Sequence, residues 1–172
     1  MIKLTTLLNE VFDNPYKFSL NFKTEEIDEE DDEGNVYKKD VLSPVQIVLF
    51  KTSNGIPYLW YARQNRYDDK TWEVSFGIHK GQDERGKHSL NIELSNTGDM
   101  YRVFSTVIDI TNRFIEFDSD TTEIQRLILS SKGDNRTKLY IKRILPRIEN
   151  FELDSVRDVG DDTSEITLNR KF

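Results

Sequence analysis

Residues 92–157 read IELSNTGDMYRVFSTVIDITNRFIEFDSDTTEIQRLILSSKGDNRTKLYIKRILPRIENFELDSVR, and their apolar spacing follows the order strand, helix, strand, helix, strand. The first strand, 89–95, ends in Ser95-Asn96-Thr97-Gly98-Asp99. Asn96 or Thr97 can cap a helix there, and Asp99 suits its electropositive first turn. That helix extends to about Glu116, with Met100, Val103, Phe104, Val107, Ile108, Thr111, Phe114 and Ile115 on one wide apolar face that must lie on a sheet. A strand follows over 123–131, carrying Ile124, Leu127, Ile128 and Leu129. Gly133-Asp134 opens the second helix, with Asp134 as its cap; Leu139, Tyr140, Ile144 and Leu145 face inward, and Pro146 disrupts it near its end. Phe151, Leu153 and Val156 alternate as the last firm strand, and 163–170 adds an edge strand.

Upstream, the pattern changes. Leu4, Leu7, Leu8 and Val11 fall at helical spacing, so residues 1–14 predict a short amphipathic helix that must dock on something to persist. Tyr16, Phe18, Leu20 and Phe22 alternate as a half-buried strand. Val45 to Phe50 is apolar on both faces, which predicts a central strand. Ser53-Asn54-Gly55 is a hairpin turn leading into a return strand, Tyr58 to Arg63, and Trp72, Val74 and Phe76 alternate as another. Residues 77–88 read as a charged loop. Residues 41–95 are thus an antiparallel meander feeding the β-α-β-α-β block of 92–157. The fold class is α+β, with a mixed, largely antiparallel sheet, in one domain spanning 1–172.

Composition narrows the chemistry. The chain has 172 residues, no cysteine and a net charge of −7. Disulfides, thiol catalysis and thiolate metal sites are excluded together. No apolar run approaches the length of a membrane span, and the opening residues lack the apolar core of a signal peptide, so the expectation is a cytoplasmic protein with no membrane partner. Residues 25–33, EEIDEEDDE, hold eight acids and no base, which leaves +1 for the rest of the chain. We read 24–40 as a solvated acidic loop whose like charges keep it mobile. Its spacing lacks the alternating ligands and central glycine of an EF-hand, and acids confined to one short segment make poor mimics of nucleic acid.

Neither HExxH, GxSxG, GxxxxGK[ST] nor GxGxxG occurs. His79 and His88 are the only histidines, nine apart, so no metal site is expected. The aromatics from Tyr58 to Phe76 are interleaved with Arg63, Arg66 and Lys70, a pattern that can stack bases, but strand alternation assigns most of them to a core. Lys132, Arg136, Lys138, Lys142, Arg143 and Arg147 form a basic strip along the second helix. A solvated face explains it; contact with an acidic partner or with nucleic acid is the functional alternative.

The element order, with TKLYIKRI on the second helix, resembles the C-terminal half of GCN5-related acyl-CoA N-acyltransferases. The resemblance implies a strand splayed from its neighbour, acyl-CoA in the gap, and pyrophosphate at the next helix start. It places Asn96, Gly98, Met100 and Arg102 at the cofactor, acetyl-CoA in the simplest case, and makes Tyr140 the general acid for the thiolate. The match departs from the family in having one glycine in the loop, Asp99 beside it, and Asn135 five residues before Tyr140 rather than seven. NTGDMYRVFSTVIDI with RTKLYIKRI, and the opening MIKLTTLLNEVF, resemble small uncharacterised proteins of tailed bacteriophages, which implies a phage origin and a place in the host cytoplasm or the virion. Two readings follow. In one the chain is non-catalytic, needs no cofactor, and contacts a phage or host protein, or another copy of itself, through Glu29, Glu30, Asp31 and Asp32 and through Lys138, Lys142 and Arg143. In the other it is an acyltransferase.

Overall fold

The computed structural model describes residues 14–91, 100–118 and 124–171. It is α+β, with a two-stranded sheet of β1 (Thr24–Glu30) and β2 (Val36–Leu42) and a seven-stranded sheet. The larger sheet runs β3 (Val45–Lys51), β4 (Pro57–Gln64), β5 (Thr71–Gln82), β7 (Arg126–Lys132), β9 (Thr163–Arg170), β8 (Phe151–Gly160), with β6 (His88–Asn91) paired to β5. All neighbours are antiparallel except β5 and β7, which run parallel. Helix α1 (Met100–Asp118) precedes β7 in the connection between that parallel pair. After β7 comes a short α2 (Asp134–Leu139), continued by a π-helical turn over Tyr140–Ile144 and a 3₁₀ turn over Leu145–Arg147 that contains Pro146.

Strand alternation sends Tyr58, Trp60, Trp72, Val74, Phe76, Leu127, Leu129, Ile166 and Leu168 to one face, where α1 and α2 pack. The aromatic rings interlock there. Phe114 stands edge-on to Trp60, Trp72 and Phe22, with centroids 5.3, 5.0 and 5.4 Å away. Thr106 and Thr111 interrupt the apolar stripe of α1 for a reason: Thr106 accepts from the Tyr16 amide at 2.8 Å, and Thr111 from the Trp60 indole at 3.1 Å. Asn112 ties α1 to the end of the second helical region, donating to the Arg147 carbonyl and accepting from the Glu149 amide, both at 3.0 Å.

Several expectations change. Val45–Phe50 lies at the sheet margin, not its centre. Its outer neighbour is a single bridge from Phe18 to Phe50, and Val45 and Leu49 are exposed. The apolar run is explained by that bridge and by a face that no described helix covers. Residues 163–170 are interior and 151–160 form the edge, because β9 inserts between β7 and β8. The loop expected over 77–88 is instead the end of β5 and its hairpin with β6. Residues 16–22 run extended beside α1 without forming a strand, apart from the Phe18 bridge. Asp134 is the first residue of α2 rather than its cap; Gly133, at φ 89°, holds the cap position with no side-chain bond. The acidic segment expected as a loop is a hairpin, paired from Thr24↔Leu42 to Glu30↔Val36. The docking helix of 1–14 falls outside the described residues except for Asn14.

Candidate functional site

Three places could carry function: the split between β5 and β7, the β1–β2 hairpin, and the open face of the large sheet. The split is a feature of register. Parallel pairing spans Thr71–Val74 of β5 and Arg126–Leu129 of β7, after which Ser130–Lys132 pair only with β9. Beyond the divergence, Ile78–Gln82 on the same edge of β5 pair with β6. Ser75, Phe76 and Gly77 are the stretch of that edge left between the two partners.

Tyr140 fills the helix side of this place. It is 1% exposed, stacked on Phe76 at 5.6 Å and edge-on to Phe104 at 5.8 Å. Its hydroxyl has no hydrogen-bond partner among the described residues, and burial pushes the phenol well above its ordinary range. A general acid must reach the atom it protonates, yet Tyr140 lines none of the five principal concavities among the described residues. Of the residues assigned to the cofactor, Asn96 and Gly98 fall outside the described residues. Met100 is half-buried against the core. Arg102 is engaged elsewhere: its Nε donates to the Asn14 carbonyl at 3.1 Å and its guanidinium lies 4.1 Å over the Tyr16 ring. The structure therefore brings Arg102 to residues 14–16 and seals Tyr140 between two phenylalanines.

The β1–β2 hairpin is built from charge. Residues 24–42 hold nine carboxylates and two lysines, a net −7 equal to that of the whole chain. Lys38 pairs with Glu26 and Lys39 with Glu29, the latter at 3.0 Å. Hydrogen bonds from Lys39 and Tyr37 hold the Glu29 carboxyl below its usual range. Asp31 organises the turn: Oδ1 accepts from the amides of Asn35 and Glu33 at 2.8 and 2.9 Å, and these bonds lower its pKa, the Asn35 amide most. Of the four acids assigned to a partner, Glu29 and Asp31 thus serve the hairpin itself, while Glu30 and Asp32 are exposed with no ion pair to a described residue.

A buried amide fixes where the hairpin points. Gln46 is 1% exposed and accepts from the Lys23 amide at 2.8 Å. It donates to the carbonyls of Lys23 and Ser43 at 2.7 and 2.8 Å, while the Ser43 amide donates to Lys23 at 2.9 Å. The hairpin is closed at its base before it begins. Nothing in the local pattern of Val45–Phe50 distinguishes Gln46 from a solvent-facing residue; the three backbone groups it serves come from 23 and 43. The basic residues assigned to a partner lie on the second helical region, where Lys138 and Lys142 are exposed and Arg143 half-buried.

On the face opposite α1, Val45, Ile47, Leu59, Tyr61 and Leu90 surround a cleft of about 600 Å³. Arg63 and Glu73 pair at 2.5 Å within it, and His88 and Lys87 join it from the β5–β6 hairpin. No group of three or more His, Asp or Glu side chains placed to hold a metal occurs among the described residues, and no helix among them is long and apolar enough to cross a membrane.

No protein-family model matches the chain, and no curated protein or solved structure matches it significantly.

Proposed function

We propose that the chain is a phage-encoded, non-catalytic protein that works by contact with another protein, as a virion component or a binder of a host factor. The β1–β2 hairpin carries this reading. It forms a sheet of its own, with both strand edges free of the larger sheet and all of the chain's net charge concentrated on it. A two-stranded hairpin is marginal alone, and here the turn of Asp31, two diagonal ion pairs and the Gln46 clamp hold it out in one direction. Such an element suits a partner surface rich in lysine and arginine, which it would find by electrostatic steering. The same charge disfavours nucleic acid, because phosphates would meet a hairpin of their own sign. Phage origin, and residence in the host cytoplasm or the virion, rest on the resemblance alone.

The test leaves the turn intact. Glu25→Gln, Glu30→Gln and Asp32→Asn together should leave the melting temperature nearly unchanged, since exposed charges contribute little to stability. Co-sedimentation with the phage and host proteins retained by the unaltered chain should fall at least about tenfold, as should retention of the unaltered chain in high salt. Retention unchanged by both would sink the hairpin as the contact.

A second reading, an acyl-CoA-dependent N-acyltransferase with Tyr140 as general acid, draws support from the divergence of β5 and β7 and from the unpartnered Tyr140 hydroxyl. Two observations weigh against it: β6 occupies much of the β5 edge beyond the split, and Tyr140 is closed off from solvent. Saturating acetyl-CoA should leave the melting temperature unmoved in the contact reading. A rise of roughly 5–10 °C, with acetyl transfer abolished by Tyr140→Phe, would reverse the preference.

A further inference from the structure

The two histidines of the chain, separated in sequence, are brought into contact by the register of β5 with β6. Pairing of β5 with β6 runs Ile78↔Asn91 and His79↔Leu90, then skips Lys80 before Gly81↔Ser89 and Gln82↔His88. Residues opposite one another in a ladder share a face, so His79 lies on the side of Leu90 and, two residues along β6, of His88. The skipped Lys80 brings Gln82 rather than Gly81 opposite His88 on that same face. Gly81 follows the bulge at φ 103°, a conformation that side-chain-bearing residues rarely adopt. Bulges re-aim side chains in this way beside functional sites. Here Nε2 of His79 lies 3.0 Å from Nδ1 of His88, with ring centroids 5.1 Å apart and planes at 41°. The Gln82 side-chain amide lies 2.6 Å from the other nitrogen of His88, so Nδ1 is the atom left to face His79.

We propose that His79 and His88 form a two-imidazole site for a divalent transition-metal ion of the zinc, copper or nickel class, at the rim of the cleft that His88 lines. Two nitrogens bound to one tetrahedral zinc ion at about 2.0–2.1 Å lie roughly 3.3 Å apart, close to the separation observed. Imidazole suits these ions, and a ligand histidine commonly has its outer nitrogen held by a hydrogen-bond partner, the position that Gln82 occupies. On binding, the proton between the two rings moves to the outer nitrogen of its own ring, the Gln82 amide turns its oxygen to accept from the protonated Nε2 of His88, and both inner lone pairs turn to the metal. Two protein donors leave at least two tetrahedral positions for water or for a donor from another molecule, so the site is open and exchangeable. This inference is independent of the hairpin contact proposed above.

The experiment uses the full chain without a histidine tag. Because His79 and His88 are its only histidines, the imidazole region of a nitrogen-15 spectrum holds two rings. Titration with zinc chloride should shift both together and saturate at one ion per chain, with micromolar affinity by calorimetry. His79→Asn and His88→Asn should each weaken zinc at least about tenfold, and copper(II) resonance should show two coupled imidazole nitrogens in the unaltered chain and one in either variant. Zinc bound with no shift of the imidazole signals, or with undiminished affinity in both variants, would place the ion elsewhere and overturn the assignment. So would absence of binding up to millimolar zinc. The spectrum of the unaltered chain decides the matter even where a variant fails to fold.

Discussion

The two faces of the large sheet come from the same strands and have opposite fates. On one, Trp60, Trp72, Phe76, Phe104, Phe114 and Tyr140 are each at most 3% exposed. On the other, Leu49 is 47% and Val45 39% exposed, and the cleft opens between them and the β5–β6 hairpin. Adjacent residues of one strand differ in this way because alternation assigns them to different faces, and α1 packs on only one of them. The covered face is where the chain places its stability. The open face and the two hairpins hold the charge, the paired imidazoles and the exposed apolar side chains from which function is argued.

Phe114→Ala should break the comparison most severely. It removes the ring that touches Trp60, Trp72 and Phe22 at once, and about 3–5 kcal/mol should be lost in chemical denaturation. A loss below about 1 kcal/mol would show that α1 does not close the core as described. Gln46→Leu comes next. It keeps the volume but strands the Lys23 amide and the Ser43 carbonyl, which should cost about 1–3 kcal/mol; faster amide exchange at the hairpin base would locate the effect. Leu49→Lys on the open face is the smallest, within about 0.5 kcal/mol of zero. A large destabilisation there would mean that the open face is covered after all.

The sequence and the structure agree best where periodicity is strong. The seven apolar positions read from Met100 to Ile115, with Thr111 among them, lie on α1, and Pro146 falls in the 3₁₀ turn that ends the second helical region. The meander from Val45 to Phe76 kept its strands and its Ser53-Asn54-Gly55 turn, with the Gly55 amide bonded to the Thr52 carbonyl at 2.9 Å. The acidic hairpin was not legible, because eight acids in nine residues mask a pairing that depends on Lys38, Lys39 and the turn at Asp31. Tyr140 was placed correctly on the second helical region, but its seal between Phe76 and Phe104 depends on residues 64 and 36 positions away. The histidine pair is not legible in the sequence, since a spacing of nine gives no hint of contact until the pairing of His79 with Leu90 sets the register.

From the sequence by itself come the class α+β, the order of elements from Val45 onward, the absence of thiol chemistry and the location of the charge. These are local properties, set by side-chain spacing, backbone preference and composition. Only tertiary structure decided that β9 lies inside β8, that β5 parts from β7 after four residue pairs, that Gln46 clamps a distant hairpin, and that His79 meets His88. Each of these depends on register between segments far apart in the chain, and a shift of one residue would turn every side chain concerned to the other face.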